Sequence, residues 1–437
     1  MLLNIDRIKS DTNFKMVLPD IAFNGFIQNA CDYFASLDQN ISKVQPNETM
    51  DIISALAGFR EYFDQESEWE RLTLCCLDVL RKGVSRSIFH DFAAIEGMTH
   101  VGFSVHDLSM KAPKIEPFLQ GIKKMLVGNL SSFLKTSEGK EFSMDGNFEV
   151  IRGLSGPLRF LLEFNDDEQV MHMADRIIDI FIKRSRDITI LDQRVPGWHY
   201  YPSEIEKSFM TDKSENGCIN YGLSHGMAGP LVALSLAYKG GNHKEGLRDA
   251  IDGLISEFMK AYYYVNDIAY WPGRITFEQY IGYDEIHKIP GQMSWCYGSP
   301  GILRALYIAG DFISDAKTKQ FALEELLKIA KMDLAGFLLS QAIVCHGFVG
   351  TAAIFNLMYL ETGRTEFYDK TFEMVAPSAA MSIENFFVGE KQKAEKQNMD
   401  LRASLHNHLE GYNGVMQTIL SIIKGSPSGN DKRLLIA

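Results

Sequence analysis

Apolar positions fall at helical spacing through most of this chain. Ile21 to Leu37 shows the pattern, and Met50 to Phe63 and Arg71 to Val84 repeat it. A second pattern recurs between such stretches, a short G-x-x-G segment that leads into an apolar run. Gly153-Leu154-Ser155-Gly156, Gly226-Met227-Ala228-Gly229, Gly298-Ser299-Pro300-Gly301, Gly347-Phe348-Val349-Gly350 and Gly411-Tyr412-Asn413-Gly414 are clear copies. Ala55-Leu56-Ala57-Gly58 and Gly97-Met98-Thr99-His100 are degraded ones, with Ala55 and His100 in glycine places. The seven copies recur roughly every 40–75 residues, usually with a polar amphipathic stretch between them, and such a period marks a repeated helix pair. The pattern predicts a glycine turn opening each inner helix, where missing side chains let helix starts crowd together and offer backbone N–H groups. An open solenoid has the same period. Closure into a ring is preferred because the chemically active residues sit in copies three to six and must converge.

The two longest gaps flank Gly226 to Gly229 and contain residues 188–221 and 262–290. Both are rich in aromatic and β-branched residues, with turns at Val195-Pro196-Gly197-Trp198 and Trp271-Pro272-Gly273. They predict a small irregular or β-containing extension inserted between repeats of a single domain spanning residues 1–437. The aromatics there read as core, with the lining of a peptide groove as the other reading. Gly425 to Asp431 reads as a loosening tail. The most apolar stretch, Leu334 to Leu360, is broken by Ser340, Gln341 and His346. It reads as helix, loop and helix, not a membrane span. Residues 1–9 lack an apolar segment after a basic start, so no signal peptide is read.

Composition changes this picture little. The chain has 437 residues, 46% of them hydrophobic, which is enough for a large core. A net charge of −12 argues against nucleic acid as the main partner, since phosphate binding needs a basic face. Six cysteines are too few for a disulfide framework. Cys31, Cys75 and Cys76 read as buried thiols of a reducing compartment.

Candidate chemistry is concentrated in two glycine-flanked segments, Trp295-Cys296-Tyr297-Gly298 and Cys345-His346-Gly347. Two thiols and an imidazole suit Zn²⁺, and three protein ligands leave a position open, as catalytic zinc sites do. Cys296 and Cys345 lie far apart with no C-x-x-C, so they also read as small buried hydrophobes.

These segments, with Ser224-His225-Gly226-Met227-Ala228-Gly229-Pro230-Leu231, resemble the marks of the lanthionine synthetase C family, the cyclases of lanthipeptide biosynthesis. The resemblance runs from about residue 54 to about residue 424. It implies an all-α fold, an α/α toroid of seven helix pairs, with Zn²⁺ held by Cys296, Cys345 and His346. The implied reaction adds a peptide cysteine thiol to dehydroalanine or dehydrobutyrine and closes a thioether ring. His225 is then the acid that protonates the enolate, and Tyr297, next to Cys296, a hydrogen-bond donor to the sulfur or to a carbonyl, with a buried structural tyrosine as the other reading. Two positions depart from the family pattern. Glu149 stands where Asp is usual and keeps a carboxylate able to orient His225. Gln292 stands where Arg is frequent and lacks the charge that would steady the enolate. His406 and His408, near Gly411, read as surface or capping residues, with facing the site as the other reading.

The implied partners are a dehydrated precursor peptide and a dehydratase and export transporter in one modification complex. The implied location is the cytoplasm, at the membrane periphery through that complex. No kinase-like or lyase-like segment precedes residue 50, which favours a stand-alone cyclase. Two other readings compete: glutathione addition to dehydroamino acids, as in eukaryotic relatives of the family, and a non-catalytic zinc scaffold.

Overall fold

The G-x-x-G segments do open helices, and the glycines are there for close approach, not for an unusual φ. A Cβ at Gly350 would lie 1.8 Å from the Val344 carbonyl oxygen, and one at Gly414 would lie 1.6 Å from that of His408. The second glycine therefore leaves room for the carbonyl three residues before the first. Glycines with left-handed φ occur elsewhere, for example at Gly217, Gly363 and Gly425. The computed structural model describes residues 2–137, 147–203, 215–386 and 405–437.

Two compact units are present. The first comprises Met1–His90, His100–Ile122 and Leu339–Asp431. In it the glycine-opened helices Phe348–Thr362 and Tyr412–Lys424 pack on each other, and the second of them packs on Pro46–Phe59. Each of the three has an outer neighbour: Thr365–Ala380 against Phe348–Thr362, Asp20–Asn40 against Tyr412–Lys424, and Glu66–Ser85 against Pro46–Phe59. The second unit comprises Asp91–Thr99, Lys123–Leu338 and Lys432–Ala437. Its inner row is Ser155–Leu161, Ala228–Lys239 and Ser299–Phe312, flanked by Glu168–Arg184, Leu247–Ala261 and Ala316–Ala330.

Inner and outer helices differ as their sequences do. Tyr412 to Ile423 is buried without interruption. Glu66–Ser85 buries only a stripe, Trp69, Leu72, Thr73, Cys76, Leu80, Gly83 and Val84, at the three- and four-residue spacing that aims one face at the core. Each fully buried Leu or Ile contributes roughly 1.5–3 kcal/mol.

The first repeat departs from expectation. Ala55-Leu56-Ala57-Gly58 lies inside the helix Pro46–Phe59 and opens nothing. Ala55 replaces the glycine that would break the helix, so it starts earlier, at Pro46, where the Glu48 carboxylate accepts the Gln45 N–H at 2.7 Å.

A backbone clasp recurs in register with the other copies. The two residues three and two places before the first glycine point N–H groups at a carbonyl of the next copy. Ala94 and Ile95 donate to Ile151 O at 3.0 and 3.2 Å, and Val150 donates to Ser224 O at 3.1 Å. Leu223 and Ser224 donate to Cys296 O at 2.8 and 3.2 Å, and in the first unit Val344 and Cys345 donate to Leu409 O at 3.1 and 2.9 Å. The acceptor is each time the residue two places before its own first glycine.

All strands among the described residues lie within the two long gaps, as the extension predicts. Ile188–Ile190 pairs with Gln193–Val195, Tyr263–Val265 with Ile268–Tyr270, and Cys218–Asn220 with Arg274–Thr276, all antiparallel. The two hairpins turn at Leu191-Asp192 and Asn266-Asp267, four residues with positive φ, which matches the twist of the flanking strands.

Two expectations are corrected. Gly425 to Asp431 is not a loosening tail. The Asp431 carboxylate accepts from Ser421 Oγ, Ser428 N and Ser428 Oγ at 3.1, 2.6 and 2.9 Å, which starts a further short helix. His406 and His408 are buried, not surface residues. The His406 ring meets Tyr33 Oη at 3.0 Å, and the His408 N–H donates to Asp51 Oδ2 at 3.1 Å. Among the described residues no helix is long and apolar enough to cross a membrane.

Candidate metal centre and acid–base pair

Cys296 is held from two sides of its loop. Its carbonyl takes the N–H groups of Leu223 and Ser224 described above, and its Sγ lies 3.4 Å from the buried Ser294 Oγ. Gly298 then caps the helix Ser299–Phe312. A Cβ at Gly298 would meet Ser294 N at 2.2 Å, so the loop folds back tightly on itself. Cys345 and His346 stand before the equivalent helix, Phe348–Thr362, with Gly347 as its cap. Cys296 Sγ, Cys345 Sγ and a ring nitrogen of His346 lie within 4.8 Å of one another.

This donor set fits zinc. Bonds of about 2.3 Å to sulfur and about 2.0 Å to nitrogen suit a ligand set of thiolates and imidazole. Two sulfurs and one nitrogen also match the soft character that zinc accepts.

A carboxylate–imidazole pair, the candidate acid–base pair, is built on two loops of the second unit. Glu149 is buried and His225 half exposed, and Glu149 Oε2 lies 2.6 Å from His225 Nδ1. The same carboxylate accepts backbone N–H groups from Ile151 at 3.1 Å and from Arg152 and Gly153. Gly153 carries no side chain because a Cβ there would lie 2.3 Å from Glu149 N. Three backbone donors fix the carboxylate, and the carboxylate fixes the imidazole with Nδ1–H facing it.

Tyr297 stands beside this histidine, ring centroids 6.2 Å apart and planes at 31°. Gly222 makes the space, since a Cβ there would lie 2.9 Å from Tyr297 Cδ1. Gln292 is exposed at the end of a solvent-facing segment. Its backbone carbonyl would meet a Cβ at Gly298 at 2.4 Å. The sequence reading overlooked Ser294, Gly222 and the clasp. Ser294 was visible as the residue opening the Cys296 motif, whereas nothing local in the sequence marks a carbonyl as the partner of another repeat.

The lanthionine synthetase C-like protein family model matches residues 52–435, and this chain belongs to that family. It is 28% identical over 234 residues to the nisin biosynthesis protein NisC of Lactococcus lactis subsp. lactis. That match covers 52% of this chain, and the chain spans about half, 53%, of the curated relative's length. A solved structure of nisin cyclase superposes with a TM-score of 0.75 at 19% identity, covering 94% of this chain and 97% of that one. The likeness shows the fold, an α/α toroid carrying a few small sheets.

Proposed function

We propose that this protein is a zinc-dependent lanthipeptide cyclase that adds cysteine thiols of a peptide to dehydroalanine or dehydrobutyrine residues of the same peptide. The observation that carries the reading is the set of three donor atoms, two Sγ and one imidazole nitrogen, within 4.8 Å. Cys296, Cys345 and His346 would hold the ion. A bound Zn²⁺ supplies the positive charge that keeps an incoming thiol deprotonated and nucleophilic at neutral pH.

The remaining chemistry belongs to side chains. The thiolate sulfur bonds to the β-carbon of the dehydroamino acid, and the electron pair of the double bond moves onto the α-carbon and its carbonyl as an enolate. His225 Nε2 delivers a proton to the α-carbon and recovers one from solvent, which received the thiol's proton on ionisation, so the peptide gains an S–C and a C–H bond and loses no atom. Glu149 holds Nδ1–H through this transfer and stabilises the charged ring. Tyr297, whose ring stands beside His225, would offer its hydroxyl and an aromatic face to the peptide, and Gln292 would offer an amide. The substrate's double bonds arise from loss of water from Ser and Thr, so a dehydratase acts first. Association with that enzyme and an export transporter would locate the chain at the cytoplasmic face of a membrane. The reading takes residues 1–437 as one cyclase domain with the segments 188–221 and 262–290 as its extension.

The test is incubation of the purified protein with a dehydrated, cysteine-containing peptide while free thiols are counted. Native protein should consume thiols with no change in peptide mass, and His225→Asn should retain metal and be slower by roughly 10²–10⁴, the range for a positioned acid–base group. Thiol loss no faster than in buffer would refute the cyclase reading.

A further inference from the structure

The residues after Asp431 enter the second unit and end against the loop that carries Cys296. Leu434, Leu435 and Ile436 are buried. The Trp295 indole Nε1 donates to Leu434 O at 3.0 Å, and Arg304 Nε donates to Ile436 O at 2.8 Å. Arg159 reaches Ala437 O through Nε and Nη2, both at 3.3 Å. Lys432 pairs with Glu163, which also takes Arg159 Nη1 at 2.5 Å. Trp295 is the chain neighbour of Cys296, and Arg304 lies on the helix that the Cys296 loop opens.

We propose that Lys432–Ala437 is a positioning element for Cys296, acting through the Leu434 carbonyl on Trp295 and the Ile436 carbonyl on Arg304. Metal holding by Cys296 rests on the function proposed above; the placement of its sulfur does not. The Cys296 carbonyl is already fixed by Leu223 and Ser224. Fixing the Trp295 ring from the other side leaves the Cα–Cβ bond of Cys296 one direction. A buried indole N–H needs its partner, and its loss leaves the Leu434 carbonyl unmet in a dry site. Groups that orient metal ligands from behind are typically worth about 10–100-fold in metal affinity.

The experiment uses the full chain with Trp295→Phe, which keeps an aromatic ring and removes the N–H, and with Arg304→Lys, which keeps the charge and removes the guanidinium fork. Two quantities are read: Co²⁺ affinity from the thiolate charge-transfer band, and the alkylation rate of Cys296 in chelator-treated protein, with Cys345 as internal reference. The expected result is Co²⁺ binding weakened roughly 10–100-fold and faster alkylation of Cys296, while Cys345 keeps its rate. General loosening would accelerate both cysteines and would overturn the proposal. So would native Co²⁺ affinity and native Cys296 reactivity in folded variants. Native protein that shows no charge-transfer band would count against the zinc reading instead, and the alkylation rates would still decide this one. If Trp295→Phe does not fold, Arg304→Lys carries both readouts.

Discussion

Replacing Glu149 by Gln tests the acid–base pair with almost no change in shape. Glu149 accepts four bonds: Oε1 takes the Arg152 and Gly153 N–H groups, and Oε2 takes Ile151 N–H and His225 Nδ1. An amide has one accepting oxygen. With that oxygen facing Arg152 and Gly153, the new NH₂ faces the Ile151 N–H and forces His225 to accept on Nδ1. The proton then sits on Nε2, and the neutral ring is the wrong tautomer for its role. Bonds to a charged acceptor are worth roughly 1.5–3 kcal/mol each, so losing one outright and weakening the others should cost about 2–4 kcal/mol of stability. In a comparable histidine–carboxylate pair of a serine protease, the same acid-to-amide change costs about 10⁴ in rate through the wrong tautomer. Ring closure by Glu149→Gln should therefore fall by roughly 10²–10⁴ with metal content unchanged. Glu149→Asp keeps both oxygens and the charge on a shorter stem and should stay within roughly tenfold of the parent. The assay is the rate of free-thiol loss on one dehydrated peptide, with thermal melts alongside. Glu149→Gln cyclising at the parental rate would show that the pair does not orient the proton donor.

Gln292 is solvent-exposed, and charges there are screened. Gln292→Ala should slow ring closure by less than about threefold, and Gln292→Arg should speed it a few-fold at low salt, an effect lost at about 0.5 M salt; a tenfold loss for the alanine variant would mean direct contact with the reacting group. Burial lowers His199 and His406 from the ordinary 6.5 to about 4, although Asp51 works in the opposite direction on His406. Both are neutral when folded and protonate at 6.5 when unfolded, so stability present above pH 6.5 is lost as pH falls toward 4. The loss should reach on the order of 2–3 kcal/mol per histidine by about pH 4.5, read as a drop in urea midpoint that His199→Gln reduces; a pH-independent midpoint between 7 and 4.5 would contradict it.

The inner helices were legible because their signal is local: glycine at two places, then unbroken apolar residues. Cys296, Cys345, His225 and His346 were marked as candidates by lying within two residues of one of those glycines. The extension was legible as strand-forming composition between long gaps, but its register was not, since Cys218–Asn220 pairs across fifty-odd residues with Arg274–Thr276. Ala55-Leu56-Ala57-Gly58 misled because the motif survives in spacing while alanine favours continuing the helix. The tail misled for a different reason. Gly, Pro and Ser between 425 and 431 are loop formers, yet Ser428 N and Oγ, with Ser421 Oγ of the preceding helix, serve one carboxylate, Asp431. His406 and His408 look polar in one dimension, and only the packed structure supplies the Tyr33 hydroxyl that the His406 ring meets.

Numbering each copy from its first glycine explains why chemistry gathers where it does. The residue three places before it is buried in all six copies that keep this glycine: Ala94, Val150, Leu223, Trp295, Val344 and His408. The residue just before it is half-buried or exposed in all six: Glu96, Arg152, His225, Tyr297, His346 and Glu410. In the four copies whose N–H groups make it, the clasp accompanies this difference. It fixes the backbone two and three places before the glycine, sends one side chain into the core and turns the next-to-glycine side chain outward. A side chain on backbone held this way is aimed with little freedom, which is what a metal ligand or a proton donor needs. Cys296 and Cys345 share one place in the repeat, and His225, Tyr297 and His346 share the next. Function could therefore be written into copies four to six by changing outward-facing residues, while Glu96, Arg152 and Glu410 occupy the same place with no part in the proposed chemistry. Folding depends on the glycines and the buried place, and reactivity depends on the two residues between them.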